Sequence, residues 1–501
     1  MKHFILLLFI AAVLIIYFLP RPFGFVITDE FVYTFSAMNL VDKHTLLYSN
    51  ELMQKYEDPA FVPSWYVPIS DTVSVPKYYP GFSFILAIFY GLGGKSAMIY
   101  ANAVLGLIGL FIIYKLGELL FNKETGLIAA ILLGFNPIYV IMVYSYFSHI
   151  TATIFILFSM FLWFKWGKKN NKLSFLSGIS LGYSILAHIT SAILIVPIFI
   201  SSLIEKNSKI KSFLLGLFVI LAFIAMYNLM ILDSPIKTAY NVINEDVQFK
   251  IDYVLPNAVF YLRNSNIFMN AILILGLLGF IGVEKHKKIF FAIFTIIFIS
   301  FFLFYYFASG VGPLLGMRFI LPVIVIFSLL SANFIKLIGK NHHLIILSIV
   351  FLIIVFDAVI GLPLFKNYND AVQAEKIKWE CVAGITNKND VILADTSDGG
   401  EALVMANRLA YDYYRTTPYE LITNIDDMLQ FRDVYISVTG NREFLTRHPL
   451  VYKFPNNDKV ISAAYSLEPT TCDTIYQVLP KMANFPSQNI TAASFDENND
   501  R

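Results

Sequence analysis

Charge is what this sequence has least of. Asp, Glu, Lys and Arg make up 14% of its 501 residues, against about a quarter in a soluble globular domain. That deficit excludes an ordinary water-soluble protein of this length. The net charge is only +2, so there is no basic excess of the kind that binds nucleic acid. Cysteine is nearly absent: Cys381 and Cys472 are the only two, and neither sits in a Cys-x-x-Cys or metal-ligand spacing. No Walker loop is present, which removes the usual signal for ATP hydrolysis. Internal repeats and low-complexity tracts are also lacking.

What the chain has in abundance is apolar length. It is 57% hydrophobic, with a mean hydropathy of +0.66. A helix needs about 20 apolar residues to cross the hydrocarbon core. Runs of that order fall at 4–19, 97–120, 125–143, 147–166, 172–187, 189–205, 212–231, 266–283, 288–308, 317–338 and 343–365, about eleven spans by length and composition. The run at 81–93 is shorter and reads as an interfacial or re-entrant helix. The first run is followed by Pro20, Arg21 and Pro22 rather than a small-residue cleavage site, which favours an uncleaved anchor over a signal peptide.

Lysines set the expected orientation. Lys123, then Lys168, Lys169 and Lys172, then Lys206, Lys209 and Lys211, then Lys285, Lys287 and Lys288, and finally Lys336 and Lys340 fall in alternate loops, on the side of Lys2. The positive-inside rule makes that side cytoplasmic. An odd number of spans then leaves the C-terminal part outside the cell. The expected fold is therefore an α-helical polytopic membrane protein with a small C-terminal α/β extracytoplasmic domain. Its membrane domain covers 1–365, with outer loops at 20–80 and 232–265.

Within 366–481, VILAD (391–395), VYISV (434–438) and TIYQVL (474–479) read as strands, and EALVMANRLAYDYY (401–414) has helical spacing. The polar tail 482–501 is predicted to be disordered and holds the sequon Asn489-Ile490-Thr491. Cys381 and Cys472 are open to two readings, a disulfide or two separate thiols.

Candidate chemistry gathers in the outer segments. Asp29 and Glu30 follow the first span in ITDEFVYTFSAMNLVDKHTLLYS (27–49). A carboxylate desolvated there suits proton abstraction, whereas acidic residues at that position also cap helices and complement their dipole. Lys77, with Tyr78 and Tyr79, precedes Pro80-Gly81. A lysine at headgroup level pairs with a phosphate or simply snorkels. Arg318 opens a late span between Pro313 and Pro322, suited to bidentate phosphate binding or to interfacial anchoring. His149 and His188 lie at outer ends of spans, where ionisable groups mark functional sites unless packing accounts for them. Tyr144 and Tyr146 fall in the same region or in an aromatic belt. No group of histidines and carboxylates has metal spacing.

Three features together resemble the GT-C superfamily of membrane glycosyltransferases, in the branch of protein O-mannosyltransferases and lipid A aminoarabinose transferases. They are Asp29-Glu30 after an anchor, Lys77-Tyr78-Tyr79-Pro80-Gly81 ahead of FSFILAIFYGLGG and KLGELLFNKETGLIAAILLGFNP (115–137), and GMRFILPVIVI around Arg318. The resemblance covers roughly residues 1–340. Two departures stand out: Tyr where the family often has Pro after Lys77, and His188 where relatives often carry arginine. No Trp-Trp-Asp motif is present, which sets the oligosaccharyltransferase branch aside.

The resemblance implies an inverting transfer from a polyprenyl- or dolichyl-phosphate sugar to an extracytoplasmic protein, glycan or lipid. It implies Asp29 as general base, Glu30 as its assistant, and Lys77 and Arg318 at the donor phosphate. Tyr78, Tyr79, Tyr146, His149 and His188 would surround the substrates. No metal or other cofactor is required by that scheme, although some GT-C branches use a divalent metal. The implied partners are membrane lipids, the lipid-linked donor and the acceptor, with no nucleic acid. The rival reading is a multi-pass transporter or flippase. Convergence of Asp29, Lys77 and Arg318 on one cavity separates the two, because a transporter places its site near the midplane, often between repeats.

Overall fold

The computed structural model describes residues 2–56, 61, 66–167, 169–205, 209–242, 249–268, 270–305, 316–339, 342–394, 402–412, 418–437, 461, 464–472 and 475–480. The tail 482–501 and Asn489 lie outside them. The chain divides into two compact units. One is Met1–Ser49 with Ser64–Ile377; the other is Asn50–Pro63 with Lys378–Arg501.

The first unit is helical. Among the described residues, seven helices are long and apolar enough to cross a membrane: Gly81–Met98, Ala101–Leu120, Ser148–Lys165, Ile210–Leu232, Lys285–Phe304, Met317–Ile338 and His343–Ile385. The pair Lys123–Gly134 and Pro137–Tyr144, bent by 64°, brings the number to eight if it is one span. The remaining apolar runs are helical as well, in shorter elements. Lys2–Tyr17 and Asn171–Ala187 form helices of 16 and 17 residues. The run at 189–205 opens with a tight 3-10 segment, Ile189–Leu194, and the run at 266–283 ends in one, Phe280–Gly282. The bend at 135–137 follows from Pro137, whose missing N–H suits the first turn of a new helix. Asn136 caps that turn by accepting from the N–H groups of Ile138 and Tyr139.

The run at 81–93 extends beyond the short element expected. Its helix reaches Met98, although Gly93 and Gly94 break helical geometry within it, Gly94 at φ 64°.

Burial follows composition. The Leu321–Ile338 helix is apolar on all sides and nearly every residue is buried. It packs on the Asn270–Gly279 and Lys123–Gly134 helices. The Ile210–Leu232 helix instead leaves Phe218 63% and Met230 77% exposed, an apolar face that a bilayer covers at no cost. Its other side fits closely against Asn171–Ala187: a Cβ on Gly178 would meet the Phe213 carbonyl at 2.0 Å, so only glycine allows the approach.

The second unit is a five-stranded sheet. The strands are β3 (Val391–Ala394), β4 (Leu409–Asp412), β5 (Val434–Ser437), β6 (Tyr465–Pro469) and β7 (Ile475–Pro480), in the order β4-β3-β5-β7-β6. The numbering counts a separate hairpin in the first unit, β1 (Tyr66–Ser70) and β2 (Val73–Pro76). β3 pairs in parallel with β4 and β5, whereas β7 is antiparallel to β5 and β6.

One expectation is corrected here. The stretch 401–414 is not one helix: after a π-turn at Ala402–Ala406, Asn407 adopts φ 55° and Leu409–Asp412 pairs as a strand. The helix that holds the apolar run 343–365 continues past it. It runs His343–Ile385 through Pro363, and residues 366–385 contain no further proline to end it. Arg408 satisfies carbonyls at that helix's end, donating to Ala383 at 3.0 Å.

Cys381 and Cys472 are joined as a disulfide, with Cα atoms 5.8 Å apart. Part of the first outer loop belongs to this unit as well. Phe61 is buried with its ring 4.5 Å from that of Tyr411, and Lys55 pairs with Asp427 at 2.6 Å.

Candidate active site

The Thr28–Asp42 helix starts after an extended Ile27 that makes no side-chain cap. Its two acidic residues take opposite roles. Glu30 turns inward and is fully buried. One oxygen, Oε2, reaches back to accept from the Val26 N–H at 2.9 Å, the backbone capping that sequence reasoning held open. The other, Oε1, accepts from the Tyr146 N–H at 2.9 Å and the Tyr368 hydroxyl at 2.6 Å. Burial pushes the Glu30 carboxyl above the usual carboxylate range, with those hydrogen bonds opposing it.

Asp29 faces the other way, into a cavity of about 400 Å³ whose lining, among the described residues, belongs to the helical unit. Arg318 Nη2 donates to its Oδ2 at 2.7 Å and the Tyr78 hydroxyl donates to Oδ1 at 2.6 Å. Arg318 sits on a tight turn, Met317–Ile320, just before Pro322. Its guanidinium carbon lies 4.4 Å from the Phe147 ring centroid and 4.8 Å from that of Phe319. The side chain is 2% exposed, and its Nε and Nη1 are buried with no hydrogen-bond partner among the described residues. Such orphaned donors are costly unless a ligand accepts from them.

Lys77 is buried, with Nζ 5.4 Å from the Tyr78 ring and 5.5 Å from that of Tyr240. The Gly81–Met98 helix that follows is seated by Gly81, where a Cβ would meet the Leu186 backbone at 2.6 Å. The Tyr183 hydroxyl also donates to the Gly81 carbonyl at 2.8 Å.

His149 and His188 line the same cavity, their ring centroids 4.4 Å apart. Both ring nitrogens of His149 and Nε2 of His188 are buried without a hydrogen-bond partner among the described residues. His188 Nδ1 lies 3.4 Å from Ser148 Oγ, which is 2.9 Å from the Tyr33 hydroxyl.

Six residues singled out from sequence therefore meet at one cavity: Asp29, Lys77, Tyr78, His149, His188 and Arg318. Four others lie elsewhere. The Tyr144 hydroxyl donates to the Leu19 carbonyl at 3.2 Å. Glu30 is closed off as described. Tyr79 accepts from Asn228 Nδ2 at 3.0 Å and packs beside Tyr227. Tyr146 serves Glu30 through its backbone, and its ring rests on Phe23 and Phe25.

Residues missed by sequence reasoning also line the cavity. Tyr33 is one helical turn after Asp29, a spacing that was legible; its ring stacks on Tyr78 at 4.9 Å. Thr238, Tyr240 and Asn241 come from the second outer loop, and Phe301 and Tyr305 from the end of a span. None carries a local signal.

Residues 74–231 match the family model of dolichyl-phosphate-mannose-protein mannosyltransferase. No curated protein matches the chain in sequence. Among solved structures, the chain is similar to ArnT from Cupriavidus metallidurans bound to undecaprenyl phosphate, with a TM-score of 0.64 at 12% identity over 94% of this chain and 97% of that one. It is also similar to the Archaeoglobus fulgidus oligosaccharyltransferase in its apo form, with a TM-score of 0.52 at 11% identity, over 92% of this chain and 75% of that one. A further structure of that archaeal enzyme, AglB in complex with an inhibitory peptide and a dolichol-phosphate, gives 0.50 at 11% identity over the same shares. The fold of this chain is that of the GT-C membrane glycosyltransferases, in its ArnT-like form.

Proposed function

We propose that this multi-pass membrane protein is a glycosyltransferase that moves a sugar from a polyprenyl- or dolichyl-phosphate donor to an acceptor outside the cytoplasm, with inversion. The observation that carries the reading is the convergence of Asp29, Lys77 and Arg318 on one cavity, with two buried guanidinium donors unpartnered among the described residues. Those donors suit a phosphoryl oxygen, and Lys77 adds a second cation. The lipid-phosphate ligands of the ArnT and AglB structures are of that chemical class.

In the reaction, an acceptor oxygen or nitrogen attacks the anomeric carbon and the bond from that carbon to the phosphate oxygen breaks. The electron pair leaves with the lipid phosphate, where Arg318 and Lys77 stabilise the growing charge. The acceptor's proton passes to Asp29. The Tyr78 hydroxyl and Arg318 Nη2 hold the Asp29 carboxylate in place. No step of this scheme calls for a metal. The lysine-bearing loops face the cytoplasm, and the sheet unit with its disulfide faces outward.

The test is transfer from a radiolabelled polyprenyl-phosphate sugar to membrane acceptors, wild type against Asp29→Asn. Transfer by the wild type, with donor binding but no transfer by the variant, supports the reading. Equal transfer by both removes Asp29 as base. Solute movement across vesicles, without transfer from any donor, favours the transporter.

A further inference from the structure

Three aromatic rings and two cations gather beside the end of the first helix, away from the residues that line the cavity. The helix Lys2–Tyr17 is followed by Pro20, Arg21 and Pro22. The bond from the Tyr144 hydroxyl to the Leu19 carbonyl holds the chain there. Arg21 lies over two buried tyrosines. Its guanidinium carbon is 4.8 Å from the Tyr144 ring centroid and 5.7 Å from that of Tyr146. The Phe23 ring packs 5.7 Å from that of Tyr146, and Lys95 Nζ lies 5.2 Å from the Phe23 ring centroid. Lys95 comes just after the break in helical geometry at Gly93 and Gly94.

Exposed apolar surface leads up to this cluster from two directions. Ile15 and Leu19 are exposed ahead of Arg21, and Ile88 and Leu92 ahead of Lys95. Hydrocarbon covers such residues, so both cations fall at the level of lipid headgroups. A long cation at that level often only snorkels into water. Arg21 is placed differently. The residue is half-buried, and its Nη1 is buried with no hydrogen-bond partner among the described residues. Tyr146 is 4% exposed, and its hydroxyl likewise has no partner among the described residues. The Glu30 carboxylate close by serves other donors, the Val26 and Tyr146 N–H groups and the Tyr368 hydroxyl. A phosphate oxygen accepts from a guanidinium and from a phenol alike. The half-exposed Arg21 gives such a group a way in from the surface.

We propose that Arg21, Tyr146 and Lys95 bind the phosphate of an anionic membrane lipid, at a site separate from the cavity. Its occupant rests against the segment that carries the candidate base, because the Tyr146 N–H donates to Glu30, the neighbour of Asp29. Binding there is independent of whether the cavity transfers sugar.

The experiment measures Kd of the full-length protein in detergent for short-chain phosphatidylglycerol, short-chain phosphatidylcholine and a short-chain polyprenyl phosphate. Thermal unfolding without added lipid reports that each variant is folded. The wild type should bind phosphatidylglycerol at least about tenfold tighter than phosphatidylcholine. Arg21→Gln should weaken phosphatidylglycerol binding by about tenfold or more, and Lys95→Gln by about fivefold. Tyr146→Phe, which keeps the ring and the N–H to Glu30, should weaken it by about threefold or more. Arg21→Lys keeps the charge and should retain part of the affinity; it stands in if Arg21→Gln does not fold. A loss confined to phosphatidylglycerol makes the occupant a bulk phospholipid, and a loss confined to polyprenyl phosphate makes it the carrier lipid. Unchanged binding of both in the Arg21 variants overturns the site. Equal binding of phosphatidylglycerol and phosphatidylcholine by the wild type overturns its preference for anions and leaves Arg21 as an anchor only.

Discussion

The Tyr368 hydroxyl donates to Glu30 Oε1 at 2.6 Å, joining the His343–Ile385 helix to the helix that carries Asp29. With the Val26 and Tyr146 N–H groups on the same carboxylate, Glu30 acts as a structural tie between segments distant in sequence. Tyr368→Phe should lower the detergent-solubilised protein's stability by about 1–3 kcal/mol, the usual cost of depriving a buried acceptor. Thermal unfolding monitored by tryptophan fluorescence measures it; an unchanged transition would mean that water replaces the hydroxyl.

Glu30 also gives stability a pH dependence of known sign. Its folded-state carboxyl is raised above the ordinary value of 4.5. The folded state therefore binds the proton more tightly than the unfolded chain does. The contribution is fully present below pH 4.5 and is lost as pH rises through the folded value. Glu30→Gln, which cannot titrate, should flatten that part of the stability profile. Parallel profiles for wild type and variant would contradict this assignment.

Arg318→Lys keeps the charge but removes the planar fork and its stacking between Phe147 and Phe319. Initial transfer rates from a defined lipid donor should fall by roughly a hundredfold, the scale of losing one preorganised oxyanion donor. A drop of less than threefold would show that charge alone suffices.

Tyr78→Phe retains the ring stacked on Tyr33 but deletes the hydroxyl that donates to Asp29. Hydrogen bonds to charged groups are worth about 1.5–3 kcal/mol, so kcat should fall by about tenfold or more, with donor Kd little changed. A change in Kd alone would assign Tyr78 to binding.

Replacing Cys381 and Cys472 by serine should destabilise the sheet unit by about 2–5 kcal/mol, read as early protease cleavage after residue 378. The same cysteines report sidedness. In intact cells, after mild reduction, a membrane-impermeant maleimide should label them if that unit faces outward. Labelling only after permeabilisation would reverse the orientation.

Much of the fold was legible because a bilayer imposes a simple rule. Long apolar runs marked the helices, and sparse charge marked the class. What hydropathy does not give is where helices break, at Asn136-Pro137 or at the 3-10 turn of Ile189–Leu194. The acidic pair was visible at 29–30. That one carboxylate caps and ties while its neighbour faces a cavity depends on helix phase and on Tyr368, which lies far along the chain. Lys77 and Arg318 were readable as headgroup-level or interfacial cations near prolines. Tyr240 and Tyr305, which line the same cavity, carried no local mark, because their positions are set by how distant loops and spans pack.

The division of the chain has a consequence for biosynthesis. Asn50–Pro63 belongs to the same compact unit as Lys378–Arg501. A ribosome delivers the first segment long before the second, by a delay on the order of tens of seconds at ordinary elongation rates. Until then Phe61 has no Tyr411 to pack on and Lys55 no Asp427 to pair with. Maturation of the sheet unit is therefore a late event that recaptures an early loop, and every helix between them must be inserted first.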